Sequence, residues 1–363
     1  MSICSIFALM AKKKNPKKLQ KKPLILAAMG EKTKRRPIWF MRQAGRYLPE
    51  YRAIRAKTGF VDLCKTPNLA AEITLQPIRR YDVDAAIIFA DILLICTAMG
   101  QKLSFDTGHG PLLSNPIRTD KDLKRLRVND VVGDLEYVGE AIQRTRMGLT
   151  PLQTMIGFAG APFTVASYMI EGSGSKNFTE VKRLLYQSPL VFKRLLEMIA
   201  KTTFDYLEMQ VEAGAETLML FDSWLHHFSG QDFVKYVLPV TSALIKKVRT
   251  LNVPVIYYAG QGGDHLSELA GVRADVISVD WRLSLSRAQG YLKQAGLNPC
   301  LQGNLDPQVL VAPERFVRSR VRDVLQEAKK AKGHIFNVGH GLLPHTPPES
   351  LTWVIDEIRK ADE

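Results

Sequence analysis

Short apolar runs recur along the chain, many of them rich in β-branched residues, and each one ends at a glycine or a polar residue. Most of the runs are followed by a stretch with the periodicity of an amphipathic helix. Buried strands that alternate with such helices are typical of a parallel sheet covered on both faces. The eight runs are Ile38–Met41, Ala85–Ala90, Met155–Phe158, Thr217–Phe221, Val255–Tyr258, Val276–Val279, Cys300–Gln302 and Ile335–Val338.

Eight is the number of strands at which a parallel sheet with flanking helices closes on itself. We therefore expect one α/β domain, a (β/α)8 barrel of the TIM type, with a deep cleft at the C-terminal ends of the strands. An open doubly wound sheet has the same alternation and remains the alternative fold. Between the runs, the pattern predicts a helix over Leu69–Arg80, a long helix that begins at Pro189 after Ser188, a helix interrupted at Pro239, and a hairpin within Gln101–Ile117.

The basic charge of the chain is concentrated near its N-terminus. The formal net charge is +14, and residues 1–36 contribute +10 of it. We expect residues 1–22 to form a basic, disordered extension and residues 23–363 to form the barrel domain. Organelle targeting or binding to an anionic surface is the alternative role of the extension. Because most of the excess charge lies in residues 1–36 and the other 327 residues carry only +4, we expect no nucleic-acid partner. No apolar run approaches the ~18 residues that a membrane span requires.

Cysteine and histidine spacing argues against a metal site. The four cysteines are Cys4, Cys64, Cys96 and Cys300. They lie far apart and form no CxxC pair, which also argues against a disulfide framework and suits a reducing, cytoplasmic compartment. The adjacent pair His226 and His227 would point apart on a helix, so we expect no metal there either.

Polar residues follow the predicted strands at the positions where the apolar runs end. In a barrel enzyme the active site lies at the C-terminal ends of the strands, so these residues form one candidate rim. The residues just past the eight runs, including the small residues that accompany the polar ones, are Arg42, Asp91, Ala159, Gly160, Asp222, Ser223, Gly260, Asp280, Gly303, Asn304, Gly339 and His340. Asp91 directly follows the run AAIIFA, so its carboxylate requires a cation or an N–H donor to offset its desolvation.

Arginines cluster immediately after the first run, around Gly45. They are Arg42, Arg46, Arg52 and Arg55. Guanidinium groups bind carboxylates through paired hydrogen bonds, and a glycine permits the chain to turn sharply. Several arginines beside a lone carboxylate suit a ligand with many anionic arms and a cationic or N–H-rich centre. A solvated arginine face is the alternative interpretation.

Two long segments and several short ones resemble uroporphyrinogen decarboxylases. PIWFMRQAGRYLPEYR resembles the N-terminal signature of that family, and GFAGAPFTVASYMIEG resembles its second signature. The segments FADIL, LFDSW, DWR, QGNLDP and FNVGHGLLPHTPPE follow in the family's order. The resemblance implies a (β/α)8 domain, usually homodimeric, that removes carbon dioxide from the four acetate arms of uroporphyrinogen to give coproporphyrinogen in haem biosynthesis. It implies neither a metal nor an organic cofactor.

The same resemblance implies the substrate contacts and three catalytic residues. The contacts fall on Arg42, Gln43, Ala44, Arg46, Arg55, Asp91, Tyr168, Phe221, Ser223 and His340. Ionised Asp91 would face the pyrrole N–H groups and stabilise the cation that forms when a pyrrole is protonated. Arg42 would hold a carboxylate and assist proton delivery, and Tyr168 would hydrogen-bond the reacting acetate or Asp91. His340 as general acid is an alternative to its binding a peripheral carboxylate.

Two other functions remain open. Corrinoid-linked methyltransferases resemble this family but hold zinc through a His-x-Cys arrangement, which this sequence lacks. A porphyrinogen carrier or a nucleic-acid-binding module that uses the basic extension is the second. One segment also departs from the family, because Leu225, His226 and His227 stand where relatives usually have small residues.

Overall fold

The structure is a computed structural model that describes residues 22–106 and 110–363 of the chain. Its strands are β1 (Ala85–Ile87), β2 (Leu103–Asp106), β3 (Gly110–Leu113), β4 (Thr154–Gly160), β5 (Thr217–Asp222), β6 (Val255–Ala259), β7 (Val276–Ser278), β8 (Cys300–Leu305) and β9 (His334–Val338). Seven of them form one parallel sheet in the order β1-β4-β5-β6-β7-β8-β9. β2 and β3 pair in antiparallel register as the hairpin predicted after the second run.

The first apolar run closes the curled sheet into a ring. Ile38 forms a parallel bridge with Phe336 of β9. On its other side, the N–H of Asp84, which directly precedes β1, donates to the carbonyl of Ile38 at 2.8 Å. The segment therefore joins the two edge strands, and the α/β fold is the predicted TIM-type barrel.

The strand predicted over Ile38–Met41 shortens to this single bridge. The N–H of Phe40 donates to the side chain of Gln43 at 3.0 Å, and the N–H of Met41 donates to the side chain of Asn337 at 2.8 Å. These two donors bond to side chains instead of continuing a strand ladder. Apolar periodicity does not reveal such local competition for backbone donors.

Helices cover the outside of the sheet, as the sequence pattern predicts. The α-helices of the described residues are Pro23–Ala28, Pro49–Arg55, Phe60–Lys65, Pro67–Arg80, Leu94–Ala98, Asp120–Leu123, Glu136–Met147, Pro162–Glu171, Thr179–Gln187, Pro189–Ala213, Gly230–Asp232, Leu238–Val248, Leu266–Leu269, Leu285–Gln294, Glu314–Ala328 and Pro348–Asp362. The interruption expected at Pro239 takes the form of a π-helical turn over Phe233–Val237, next to the proline that cannot donate a backbone hydrogen bond. No helix within the described ranges is long and apolar enough to cross a membrane.

A buried aspartate fastens the closing segment to the last helix. Asp84 is fully buried, and its carboxylate accepts a hydrogen bond from the N–H of Ile38 at 2.8 Å. The guanidinium of Arg359, from the helix Pro348–Asp362, donates to the same carboxylate at 2.8 Å, and Arg35 contacts its other oxygen at 2.6 Å. This ion-pair cluster joins both ends of the domain to β1.

Most of the extension predicted over residues 1–22 lies outside the described residues. Lys22, its last residue, contacts the barrel. Its Nζ donates to the Glu216 carboxylate at 2.6 Å and to the carbonyl of Gln153 at 2.7 Å. Both partners lie just before strands β5 and β4, so Lys22 is anchored at the N-terminal ends of the strands, opposite the predicted site.

Candidate active site

The loop that carries Arg42 turns sharply where the chain leaves the closing segment. The backbone of Arg42 is left-handed, with a φ of 64°, a conformation that a non-glycine residue adopts only at an energetic cost. Its side chain is exposed and lies against Gly341, directly beside His340 in the chain. Backbone strain at this point therefore places a guanidinium on the candidate rim, next to the end of β9.

Gln43 holds this loop and does not face the cleft. Its carboxamide oxygen accepts from the N–H of Phe40, and its amide nitrogen donates to the carbonyl of Ala85 in β1 at 2.9 Å. The side chain is 1% exposed. We therefore correct the prediction that Gln43 lines the substrate cleft: its side chain joins the Arg42 loop to β1.

Asp91 lies shortly after β1 and is partly buried. One of its carboxylate oxygens accepts the N–H of Leu93 at 2.8 Å. Burial raises the pKa of Asp91 to about 6, while the Leu93 N–H and the positive charge of Arg42 oppose the rise. The carboxylate is thus mostly ionised at neutral pH but lacks full solvation, so it suits a ligand that supplies N–H donors or positive charge.

The positive charge of Arg42 acts on several groups of this rim. Burial is the main cause of the pKa shifts at Asp91, Tyr168, Tyr258 and His340, and the positive charge of Arg42 acts to lower the pKa of each. The guanidinium therefore lies near groups from β6, from the helix Pro162–Glu171 and from the residues that follow β1 and β9. Burial and the negative charge of Asp91 raise the pKa of Tyr168 to about 12, so the phenol remains a proton donor at neutral pH. Burial lowers the pKa of His340, so its imidazole is neutral.

Arg46 and Arg55 lie on the Asp91 side of the rim. Both are exposed, and their charges oppose the rise in the pKa of Tyr51 that burial causes. The ring of Tyr51 packs against Phe89, two residues before Asp91, with 5.7 Å between the centroids. The guanidinium of Arg55 also donates to the carbonyl of Thr58 at 3.0 Å. Ala44, predicted to bind through its backbone, is half-buried and lies between Arg42 and Arg46 in the chain.

Aromatic rings from neighbouring strands form an apolar wall beside the polar groups. Phe221 of β5 packs edge-to-face against Phe158 of β4, with 5.5 Å between their centroids, and lies 5.9 Å from the ring of Tyr258 of β6. A flat, largely apolar ligand can pack against such a wall. The hydroxyl of Tyr258 is buried and has no hydrogen-bond partner among the residues that the structure describes. Burial, followed by the charge of Asp280, raises the pKa of Tyr258.

Ser223 follows β5 and is held through its backbone. Its N–H donates to the hydroxyl of Thr164 at 2.8 Å, and that hydroxyl donates to the buried carboxylate of Asp222 at 2.8 Å. A second donor, the hydroxyl of Tyr257, reaches the other oxygen of Asp222 at 2.7 Å. Ser223 is partly exposed, so its side chain is accessible from the rim.

Sequence reasoning did not single out Arg282 as a site residue. Its guanidinium donates to both oxygens of the buried Asp280 at 2.9 Å and lies over the ring of Trp281. Burial sets the direction of the pKa shifts of His340 and Tyr258, and the positive charge of Arg282 acts to lower the pKa of each, so Arg282 lies near the same rim. The signal in the sequence was its position two residues after Asp280, at the end of the sixth predicted strand.

The two histidines that depart from the family pattern belong to an aromatic cluster. The rings of His226 and His227 lie 4.0 Å apart, and Phe178 and Trp224 pack around them. Burial lowers the pKa values of both, that of His227 to about 4. Within residues 22–106 and 110–363, no three His, Cys, Asp or Glu side chains converge in a way that could hold a metal ion.

Comparisons with known proteins agree with the resemblance in the sequence. The family model for Uroporphyrinogen decarboxylase (URO-D) matches residues 19–361. A uroporphyrinogen decarboxylase of Carboxydothermus hydrogenoformans is 45% identical over 92% of this chain and 95% of its own. That of Geobacter sulfurreducens is 43% identical over 93% of this chain and 98% of its own. Among solved structures, a methyltransferase from Methanosarcina mazei is similar in fold, with a TM-score of 0.81 at 19% identity, covering 94% of this chain and 99% of that one.

Proposed function

This chain belongs to the uroporphyrinogen decarboxylase family, and we propose that it removes carbon dioxide from the four acetate arms of uroporphyrinogen III to give coproporphyrinogen III. The observation that carries the proposal is a poorly solvated carboxylate that lies near a guanidinium at one barrel rim. Asp91 supplies the carboxylate, and Arg42 lies close enough to oppose the rise in its pKa. This arrangement matches a ligand with N–H donors at its centre and carboxylates at its edge.

The reaction needs an electron sink, which the substrate itself supplies. Protonation of a pyrrole ring carbon gives an iminium-like cation. The bond between the acetate methylene and its carboxylate then breaks, its electron pair flows into the ring, and carbon dioxide leaves. A proton added to the exocyclic carbon gives the methyl group, while the ring carbon returns its proton. Each arm therefore consumes one proton overall, and we expect no metal or organic cofactor.

Asp91 stabilises the cationic ring in this proposal. Its ionised carboxylate faces the pyrrole N–H groups, which replace the water that burial has removed. A fixed charge that is aimed at a developing opposite charge is often the largest catalytic contribution. The hydrogen bond from Leu93 holds one oxygen of the carboxylate in place and leaves the other for the ligand.

The remaining rim residues hold the carboxylate arms. Arg42, Arg46 and Arg55 present exposed guanidinium groups, which bind carboxylates in a paired geometry. The neutral phenol of Tyr168 donates a hydrogen bond to the reacting acetate. The hydroxyl of Ser223 and the neutral imidazole of His340 bind peripheral carboxylates.

The resemblance also supports a homodimer that works in the cytoplasm. Sedimentation of the purified chain tests the dimer. A dimer is expected at micromolar concentration, and a monomer that is fully active would contradict it.

Anaerobic incubation with uroporphyrinogen III tests the function directly. Mass spectrometry of the products should show the stepwise loss of four carboxylates. The Asp91→Ala variant should be nearly inactive and leave almost all carboxylates on the substrate. Asp130→Asn, which removes an exposed carboxylate away from the rim, serves as the matched control and should retain activity. A substrate that keeps all its carboxylates would refute the proposal, and stoichiometric zinc in the purified protein would favour the methyltransferase alternative. Deletion of residues 1–21 should leave the product pattern unchanged.

A further inference from the structure

A buried chain of hydrogen bonds connects two of the proposed substrate-binding elements. Asp222 is fully buried at the end of β5. One of its oxygens accepts from the hydroxyl of Tyr257 at 2.7 Å, and the other accepts from the hydroxyl of Thr164 at 2.8 Å. The Thr164 hydroxyl gives its hydrogen to Asp222, so its oxygen is free to accept a hydrogen bond. That oxygen accepts the N–H of Ser223 at 2.8 Å.

This chain of bonds joins the element that carries Tyr168 to the one that carries Ser223. Thr164 lies in the first turn of the helix Pro162–Glu171, and Tyr168 is one turn further along the same face. Ser223 directly follows Asp222. A second bond, from the N–H of Ala161 to the carbonyl of Phe221 at 2.9 Å, fastens the same two elements beside it. The separation between Tyr168 and Ser223 therefore depends on contacts that the substrate does not touch.

The ends of three neighbouring strands meet at Asp222. Its backbone carbonyl accepts the N–H of Gly260, the residue after β6, at 2.8 Å. Gly260 lies so close to Ser223 that an added Cβ would be 2.8 Å from the Ser223 Cα. Both faces of the Ser223 backbone are thus confined, one by Thr164 and one by Gly260.

Burying a carboxylate costs desolvation free energy, so packing alone does not explain why Asp222 joins these two elements. Desolvation of an ionised group disfavours folding, and apolar residues of similar volume often stabilise a core as well or better. Burial raises the pKa of Asp222 to about 6, even though Tyr257 and Thr164 donate hydrogen bonds to it. Unlike an apolar residue, the carboxylate fixes the orientation of the Thr164 hydroxyl. The oxygen of that hydroxyl then points its lone pair toward the N–H of Ser223.

We propose that Asp222 is a positioning residue, which acts through Thr164 to fix Ser223 relative to Tyr168 so that both side chains meet the substrate's carboxylate arms. This inference rests on the proposed function. Neither Asp222 nor Thr164 touches the substrate in it. Tyr257 holds the second oxygen of Asp222 and so sets the orientation of the carboxylate.

A double-mutant cycle between Thr164 and Ser223 tests the inference with uroporphyrinogen III as the substrate. Thr164→Val removes the hydroxyl at nearly constant shape and should lower kcat/KM about tenfold, as loss of a hydrogen bond to a charged group does. In a Ser223→Ala background the same substitution should lower kcat/KM less than about twofold. Alanine at position 223 has no hydroxyl to bind the substrate, so a shift of this residue has little left to disturb. Thr164→Ser restores the hydroxyl and should recover kcat/KM to within about twofold of the wild type.

Melting temperatures separate positioning from simple loss of stability. Thr164→Val should lower the melting temperature equally in both backgrounds, so stability cannot produce the coupling. If Thr164→Val does not fold, Tyr257→Phe replaces it, with the same expectation of a loss that Ser223→Ala suppresses. Equal losses of kcat/KM in both backgrounds, or no loss in either, would overturn the inference while leaving the proposed function intact. A wild-type protein that does not decarboxylate the substrate would refute the proposed function and the inference together.

Discussion

Replacement of Asp91 by asparagine should make the protein more stable and nearly inactive. Burial raises the pKa of Asp91 from 3.8 to about 6. A carboxyl whose pKa is higher in the folded protein than in the unfolded chain stabilises the fold below the unfolded pKa. That stabilisation is lost as the pH rises through the folded pKa. At pH 7.5 the ionised carboxylate therefore makes the fold less stable by about 3 kcal/mol than a neutral group would, at 1.36 kcal/mol per pKa unit.

Asparagine mimics the neutral carboxyl. Its side-chain oxygen can still accept the hydrogen bond from Leu93, so the local geometry is retained. The difference in unfolding free energy between Asp91→Asn and the wild type should be small near pH 4 and should rise to about 3 kcal/mol at pH 7.5. The buried Asp222 is present in both proteins, so its titration cancels in the comparison.

Urea unfolding between pH 4 and pH 8, followed by far-ultraviolet circular dichroism, measures this difference. The same measurement on Asp130→Asn controls for removal of one negative charge from an exposed position and should show no comparable rise. A stability difference for Asp91→Asn that does not change with pH would refute the argument that the buried, ionised carboxylate of Asp91 lowers the unfolding free energy. The catalytic role would then lose its physical basis, since a fully solvated carboxylate has little to gain from pyrrole donors.

Three further predictions concern the pH profile, a rim arginine and the barrel closure. The acid limb of kcat/KM should lie near pH 6, and that of kcat should lie lower, because pyrrole N–H groups bonded to Asp91 lower its pKa in the complex; equal limbs would contradict this. Arg42→Ala should raise KM and lower kcat, and Arg42→Lys should recover only part of both, since lysine lacks the paired geometry; full recovery by lysine would contradict a bidentate contact. Asp84→Ala should lower the unfolding free energy by about 1–3 kcal/mol, because it removes the acceptor of the buried Ile38 N–H, while Arg359 keeps its ion pair with Asp82; no measurable loss in urea unfolding would show that Asp84 does not hold the ring closed.

The fold follows from the sequence because one repeating signal encodes it. Buried strands of parallel sheets are continuously apolar, and seven of the eight runs correspond to strands of the parallel sheet. The apolar residues Phe40 and Met41 predict a longer strand in the closing segment than the structure contains. Their backbone donors bond to the side chains of Gln43, three residues along the chain, and of Asn337, far away in sequence, and the apolar pattern does not indicate either bond.

The rim was predictable in outline for the same reason. The residue that follows a buried strand must lie at the C-terminal edge, so Asp91, Ser223 and His340 could be placed there without knowledge of their contacts. The structure adds the relations between strands. The burial of Gln43 and the bond from Tyr257 to Asp222 depend on which side chains meet across neighbouring strands, and a single sequence does not record this.

The proposed mechanism depends on the ionised carboxylate of Asp91 facing the pyrrole nitrogens of the tetrapyrrole. A crystal structure of the protein with coproporphyrinogen III, grown without oxygen, measures this most directly. In that complex a carboxylate oxygen of Asp91 should lie about 2.7–3.2 Å from pyrrole nitrogens, while guanidinium groups of the rim contact carboxylate arms. A bound tetrapyrrole whose nitrogens point away from Asp91 would contradict it.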